Sequence, residues 1–188
     1  MKRGVEFDGH EAGDPYYYPL YAAAERLDLP ICFHQGTSDP TLSNAIETAR
    51  LAEFNVLAAF SSLAEHAVPD RFPELRFGFI EAGASWIPYL LKCLGMRGKA
   101  ENAPYNFKMG FLAHNRFYVT CDTEDDVRTL LEFGAEDYLM IGTDYSHADQ
   151  SSEIRAHQVI TERGQRGELS PAVAGKIVSG NARRFYGL

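Results

Sequence analysis

The chain has 188 residues, 45% of them hydrophobic, 23% charged and 12% aromatic, and its 18 Lys+Arg against 26 Asp+Glu give a formal net charge of -8. That is the composition of a globular protein, and its acidic balance argues against nucleic acid, which needs a basic patch to replace phosphate counterions, and against an anionic membrane surface. No apolar run reaches the roughly 18–20 residues of a membrane span, Met1 to Asp8 hold no apolar signal-peptide core, and three widely spaced cysteines without a CxxC pair argue against a disulfide framework or a cysteine zinc site. A cytoplasmic protein handling small metabolites is the expectation.

Short apolar runs alternate with amphipathic stretches, the pattern of βα units around a parallel sheet. Gly4 to Asp8 is a short strand candidate. Asp14 and Pro15 then open a helix over 17–27, the aspartate as cap and the proline in the first turn. Leu29 to His34 reads as a strand buried on both faces. Residues 41–67 have helical spacing, as two helices with a break near Asn55, and His66 ends the second. The next strand is Leu75 to Glu81, followed by a helix from Trp86 to Leu94. Arg116 to Cys121 is a third strong strand, rich in aromatic and β-branched residues. A helix over 124–133 with Thr123 as its cap follows, then a strand from Tyr138 to Asp144. Helices over 152–163 and 171–186 close the chain, the second capped by Ser170 with Pro171 at its first position. With no internal repeat, low-complexity tract or linker, residues 1–188 form one domain.

Three of these strands end in a residue capable of chemistry: His34, Glu81 and Asp144. Parallel α/β folds place their ligand sites at the carboxyl ends of strands, so the three side chains converge on one mouth. An imidazole with carboxylates there suits a divalent ion, whose bound water is acidified and whose proton Asp144 can accept. Taken singly, His34 is also compatible with a hydrogen-bonded structural role, Asp144 in Gly-Thr-Asp-Tyr with a turn, and Glu81 with capping the helix that follows. His147, three residues beyond Asp144, and Trp86, after Glu81, are candidate substrate contacts. His10 and His114 read as solvated, His157 as lying on a helix face, and the run Tyr16-Tyr17-Tyr18 as packing. The absence of GxGxxG, Walker A and GxSxG argues against nucleotide binding and serine hydrolysis.

Four blocks carry a family resemblance: Pro30-Ile31-Cys32-Phe33-His34-Gln35-Gly36, Phe72 to Gly83 around Phe79-Ile80-Glu81-Ala82-Gly83, Ile141-Gly142-Thr143-Asp144-Tyr145, and Gly180-Asn181-Ala182-Arg183-Arg184-Phe185-Tyr186-Gly187-Leu188. In this order they resemble the amidohydrolase-related family, in the branch with aminocarboxymuconate-semialdehyde decarboxylase and the resorcylate-type decarboxylases. The resemblance implies a (β/α)8 TIM barrel with one divalent metal, zinc or manganese, that hydrolyses or non-oxidatively decarboxylates a small carboxylated or cyclic metabolite. It implies His34 and Asp144 as metal ligands, Asp144 also in proton transfer. Glu81 stands where the decarboxylases carry a catalytic histidine, and as a base or hydrogen-bond partner it lacks the cationic acid form of imidazole.

The family's first strand supplies a His-x-His or Glu-x-His ligand pair, and nothing of that form precedes His34. Matched in order, the chain holds strands four to eight of the barrel, which leaves the metal two of its usual protein ligands and predicts weak binding. A homo-oligomer or a separate chain supplying the missing strands would then complete the enzyme. The alternative is a catalytically inactive, degenerate barrel domain used for binding or oligomerisation.

Overall fold

The computed structural model describes residues 9–35, 53–96, 106–147 and 152–188. The strand expected over 4–8 and most of the first helix expected within 41–67 lie outside the described residues. Four parallel strands, β1 (Ile31–His34), β2 (Phe77–Ile80), β3 (Phe117–Cys121) and β4 (Leu139–Ile141), form one sheet in the order β1-β2-β3-β4. Ile31 pairs with Phe77, Phe77 with Phe117 and Val119 with Leu139, so the carboxyl ends line up along one rim. Parallel neighbours need a crossover, and helices supply it.

The helices are α1 (Tyr18–Arg26), α2 (Phe54–Glu65), α3 (Val68–Arg71), α4 (Ile87–Leu94), α5 (Phe111–Asn115), α6 (Val127–Leu131), α7 (Ala156–Gln165), α8 (Pro171–Gly175) and α9 (Asn181–Tyr186). A 3-10 turn, Pro15–Tyr17, leads into α1, and Asp14 caps it by accepting from the Tyr16 amide, as the sequence predicts. On the helical face of the sheet the core is aromatic. The Phe60 ring of α2 lies 4.9 Å from Phe79 and 4.8 Å from Phe117, and Tyr21 of α1 meets Phe77 at 5.6 Å.

The opposite face has its own cover. Gly78 points the other way from Phe77 and Phe79, and a Cβ there would lie 2.5 Å from Phe185 Cζ, so only glycine admits the ring. Phe185 packs with Tyr118 and Met140 in a second buried cluster, 5.1 Å from the Tyr118 ring. Asn181, fully buried, anchors α9 under β4 by donating from Nδ2 to the carbonyls of Leu139 (2.7 Å) and Glu136 (2.9 Å).

Three expected elements differ in detail. Residues 171–186 are interrupted by a π-turn, Lys176–Gly180, between α8 and α9. The buried positions Val173, Ile177, Asn181 and Phe185 recur every four residues. In a pure α-helix that spacing would drift by about 120° over the stretch; the wider π-turn holds all four against the sheet. The helix after β3 begins at Val127 with Asp126, rather than Thr123, accepting from the Thr129 amide at 3.2 Å. The residues before it are drawn into a turn by Asp125. The last strand ends at Ile141, and Gly142 to Asp144 leave the ladder for the site.

Candidate metal centre at the strand ends

All four strands deliver an ionisable residue to one rim: His34 closes β1, Glu81 follows β2, Asp122 follows β3, and Asp144 stands three residues past β4. The four line a single cavity of about 330 Å³, together with Thr120, Met140 and the α9 residues Ala182 and Tyr186. His34, Glu81 and Asp144, separated by whole βα units in sequence, are thus brought together. Asp122 is the member that sequence reasoning missed. The same strand-end rule pointed to it, directly after Phe117 to Cys121.

The contacts centre on Glu81. Its side chain is only 9% exposed, its amide donates to Thr120 Oγ1 at 2.9 Å, and its carboxylate reaches two imidazoles. Oε1 lies 3.2 Å from His147 Nδ1, which in turn lies 2.8 Å from Asp144 Oδ2. Oε2 rests against His34 Nε2, yet it is buried without a hydrogen-bond partner among the described residues. His34 Nδ1 is 2.8 Å from the Gln35 carbonyl, which only accepts, so Nδ1 carries a proton, and Nε2 meets Oε2 as an ion pair when that nitrogen is protonated as well.

The backbone at these residues is unusual as well. Glu81 and Asp144 have φ of 62° and 46°, the left-handed region that side-chain-bearing residues rarely adopt. Strain of this kind is retained where the surrounding structure over-determines it, commonly at functional sites.

The residues present fit a divalent ion. Glu81, Asp144 and His147 each offer one ligand atom, and the three lie within 4.8 Å of one another. Oxygen and nitrogen ligands at about 2.0–2.2 Å from one ion stand up to about 4.4 Å apart, so side-chain shifts of a few tenths of an ångström close these three on an ion. Cys121 is buried beside this rim, but burial pushes its thiol up to about 12 and its Sγ donates to the Met140 carbonyl, so the donor set is nitrogen and oxygen.

A second group of carboxylates braces the rim. Asp125 is buried and accepts from the Ala84 and Asp122 amides, both at 2.8 Å, and from the Ser85 hydroxyl. It ties the loop after Glu81 to the loop after β3. Desolvation, then the charges of Asp125 and Glu53, push the Asp122 carboxyl up to about 6. Trp86 faces an adjoining cleft that includes Glu53, Phe54 and Asp122, and its indole N–H is held by the carbonyls of Gly83 (2.9 Å) and Ala82 (3.1 Å). His147 stands half-exposed beside Glu81 and Asp144. Away from it, His10 pairs with Asp14 and stacks on Tyr16, His66 ends α2 and pairs with Glu11, and His114 pairs with Asp70. Their acidic neighbours give His10 and His114 partners where the sequence reading placed them in solvent.

A profile of the amidohydrolase family matches residues 3–188. The chain belongs to the amidohydrolase family. Solved structures share the fold of this amidohydrolase-family chain. An amidohydrolase from Mycobacterium avium subsp. paratuberculosis is 21% identical with a TM-score of 0.72, over 94% of this chain and 46% of that one. The 5-carboxyvanillate decarboxylase of Sphingomonas paucimobilis is 17% identical with a TM-score of 0.72, over 98% and 57%. That of Novosphingobium aromaticivorans, solved with manganese and 4-hydroxy-3-methoxy-5-nitrobenzoic acid, is 19% identical with a TM-score of 0.73, over 98% and 55%. The chain therefore spans about half the length of the structures it matches, and its four-stranded parallel sheet is part of their barrel. No curated protein matches the sequence. No helix among the described residues is long and apolar enough to cross a membrane.

Proposed function

We propose that this amidohydrolase-family chain carries the metal-binding half of an enzyme that hydrolyses or non-oxidatively decarboxylates a small carboxylated or cyclic metabolite. The observation that carries the reading is the convergence of His34, Glu81 and Asp144 on one cavity at the carboxyl ends of the parallel strands, with His147 in contact with the two carboxylates. His34 and Asp144 are the residues expected to hold a divalent ion, zinc or manganese, and the manganese in the Novosphingobium decarboxylase supports that class. Such an ion supplies Lewis acidity and acidified water at neutral pH.

The chain's own groups then handle protons and substrate. Asp144 Oδ2 receives a proton at the cavity and His147 Nδ1, 2.8 Å away, relays it toward solvent. Glu81 accepts a hydrogen bond or proton from the reacting group, a role that suits attack by water. His147 orients the substrate from above, and Trp86 contacts any part of it that extends into the adjoining cleft. Cys32, Cys93 and Cys121 are thiols rather than disulfides, which agrees with a reducing, cytoplasmic setting.

Turnover by the metal-loaded chain decides the matter. It is assayed with 5-carboxyvanillate and 2,6-dihydroxybenzoate for release of carbon dioxide, and with aromatic lactones for hydrolysis. One arm turns over, and Asp144→Asn lowers its kcat by about 100-fold or more, as expected when a proton-transfer group is removed, with an unchanged thermal melt. Activity undiminished in Asp144→Asn, or no turnover in either arm, overturns the proposal.

A further inference from the structure

Decarboxylation and hydrolysis both need a group that gives a proton as well as one that takes it. Glu81 lacks the cationic acid form of imidazole, and Asp144 is assigned to receive. We infer that Asp122 is the proton donor of this site, delivering its proton to the substrate carbon that loses a carboxylate or to the oxygen that leaves in hydrolysis. The inference rests on the decarboxylase or hydrolase reading above and adds a catalytic residue to it.

Three observations carry it. The first is placement. Asp122 directly follows β3, so the register that brings Glu81 and Asp144 to the rim brings its carboxylate to the same cavity, between the ends of β2 and β4. It also lines the adjoining cleft with Phe54 and Trp86, and so stands where the two spaces meet. The second is its company. Glu81 and Asp144 touch imidazoles, whereas Asp122 faces the carboxylates of Asp125 and Glu53 and has no basic partner among the described residues. Donors close by are already engaged. Asp125 accepts from the Ala84 and Asp122 amides and the Ser85 hydroxyl, while Arg163 gives its N–H groups to the Thr123 and Asp125 carbonyls and to Glu168. The Cys121 thiol, pushed up to about 12 by burial, stays neutral and adds no charge. The third is cover. A Cβ at Gly83 would stand 2.8 Å from Asp122 Oδ2, at a φ of 57° that suits glycine, so the loop after Glu81 folds directly over this carboxylate.

Cover and like charge both favour the protonated carboxyl, which is pushed up to about 6. An acid in that range keeps a proton close to neutral pH and still gives it up readily. In decarboxylation the Asp122 O–H bond breaks as its proton bonds to the ring carbon bearing the carboxylate. The bond from that carbon to the carboxylate then breaks, its electron pair returns to the ring and carbon dioxide leaves. In hydrolysis the proton goes to the leaving oxygen as its bond to the acyl carbon breaks, and Asp144 takes the proton of the attacking water. Either way Asp122 is left as a carboxylate and regains a proton from water through the adjoining cleft.

The test has two arms. The metal-loaded chain is assayed with the substrates named above across pH 5 to 8, and the metal-free chain carrying 13C-labelled aspartate is titrated by NMR. The parent's kcat is expected to fall above about pH 6. Asp122→Asn should lower kcat by about 100-fold, leave KM within about threefold and lose that limb of the pH profile, while Asp122→Glu recovers part of the rate. One carboxyl signal titrates near 6 in the parent and is missing from Asp122→Asn, whose thermal melt is no lower than the parent's. Parent-like kcat in Asp122→Asn, or a limb that survives the substitution, overturns the inference and leaves the metal-dependent reaction standing. An Asp122 carboxyl titrating at its ordinary value of 3.8 overturns the inference by itself, whatever the turnover. No turnover by the parent overturns the reaction, and the donor role falls with it.

Discussion

Glu81 and Asp144 occupy backbone conformations that cost free energy, and the cost is paid at the residues that meet the cavity. Aspartate tolerates φ near 46°, whereas glutamate at 62° has no local side-chain compensation beyond the Thr120 contact of its amide. Glycine adopts such a φ freely. Glu81→Gly in the metal-free chain is therefore expected to raise the unfolding free energy by about 1 kcal/mol; a destabilised variant in urea denaturation would show that the Glu81 ion pairs outweigh the strain. Asp122 makes a second residue-scale prediction. Its carboxyl sits near 6 in the fold against an ordinary value of 3.8, because of desolvation and then the charges of Asp125 and Glu53. Between those values the folded chain binds more protons than the unfolded one, so this group's contribution to stability falls as pH rises and levels off above about 6. Urea midpoints of Asp122→Asn against the parent should diverge in the variant's favour from pH 4 to pH 6 and stay parallel above. A constant difference across that range would mean that Asp122 titrates normally; solvent exposure limits the gain to about 1 kcal/mol or less.

At the scale of elements, the loops after β2 and β3 form one unit because Asp125 accepts from Ala84, Asp122 and Ser85 together. Removing a buried, charged acceptor leaves two amides and a hydroxyl unpaired, so Asp125→Ala should cost about 3 kcal/mol by chemical denaturation. It should also loosen the Glu81 loop enough to weaken Mn2+ binding; a loss below about 1 kcal/mol would mean that water replaces the carboxylate without penalty. The same loops show where sequence reading succeeds and where it stops. The four strand runs were legible because continuous apolar stretches ending in polar residues signal a buried parallel sheet, and His34, Glu81 and Asp144 followed from that. Residues 124–133 read as a helix with Thr123 as its cap. Which aspartate caps, which braces the neighbouring loop and which faces the cavity depends on contacts with Gly83 and Ala84, some 40 positions away. The contacts of the Glu81 carboxylate with His147 and His34 were hidden for the same reason, since both partners come from distant segments. The closing block from Gly180 to Leu188 was legible only as a resemblance. The structure gives it a mechanical cause in Asn181, Phe185 and the glycine at 78 that admits the ring.

For the whole molecule the question is how a sheet that forms part of its relatives' barrel covers the face a closed barrel would fill from within. In a complete (β/α)8 barrel, layers of side chains from alternate strands fill the interior. Here Tyr118 and Met140 on that face meet Phe185 of α9, and Ala182 and Tyr186 of the same helix reach the wall of the candidate site. The C-terminal helix therefore links folding stability to the shape of the cavity. Phe185 is fully buried, so Phe185→Ala should cost about 3–5 kcal/mol in equilibrium unfolding, enough to remove a large part of the stability of a domain this size. Phe185→Leu, which keeps most of the volume, should recover more than half of the loss. If α9 were merely laid on the surface, both variants would melt with the parent. If its packing sets the cavity, Phe185→Ala should also lower Mn2+ affinity under conditions where the chain is still folded, because Tyr186 and Ala182 move with the helix. Stability lost with metal affinity unchanged would confine α9 to a structural role and leave the rim held by β1 to β4 and their loops alone.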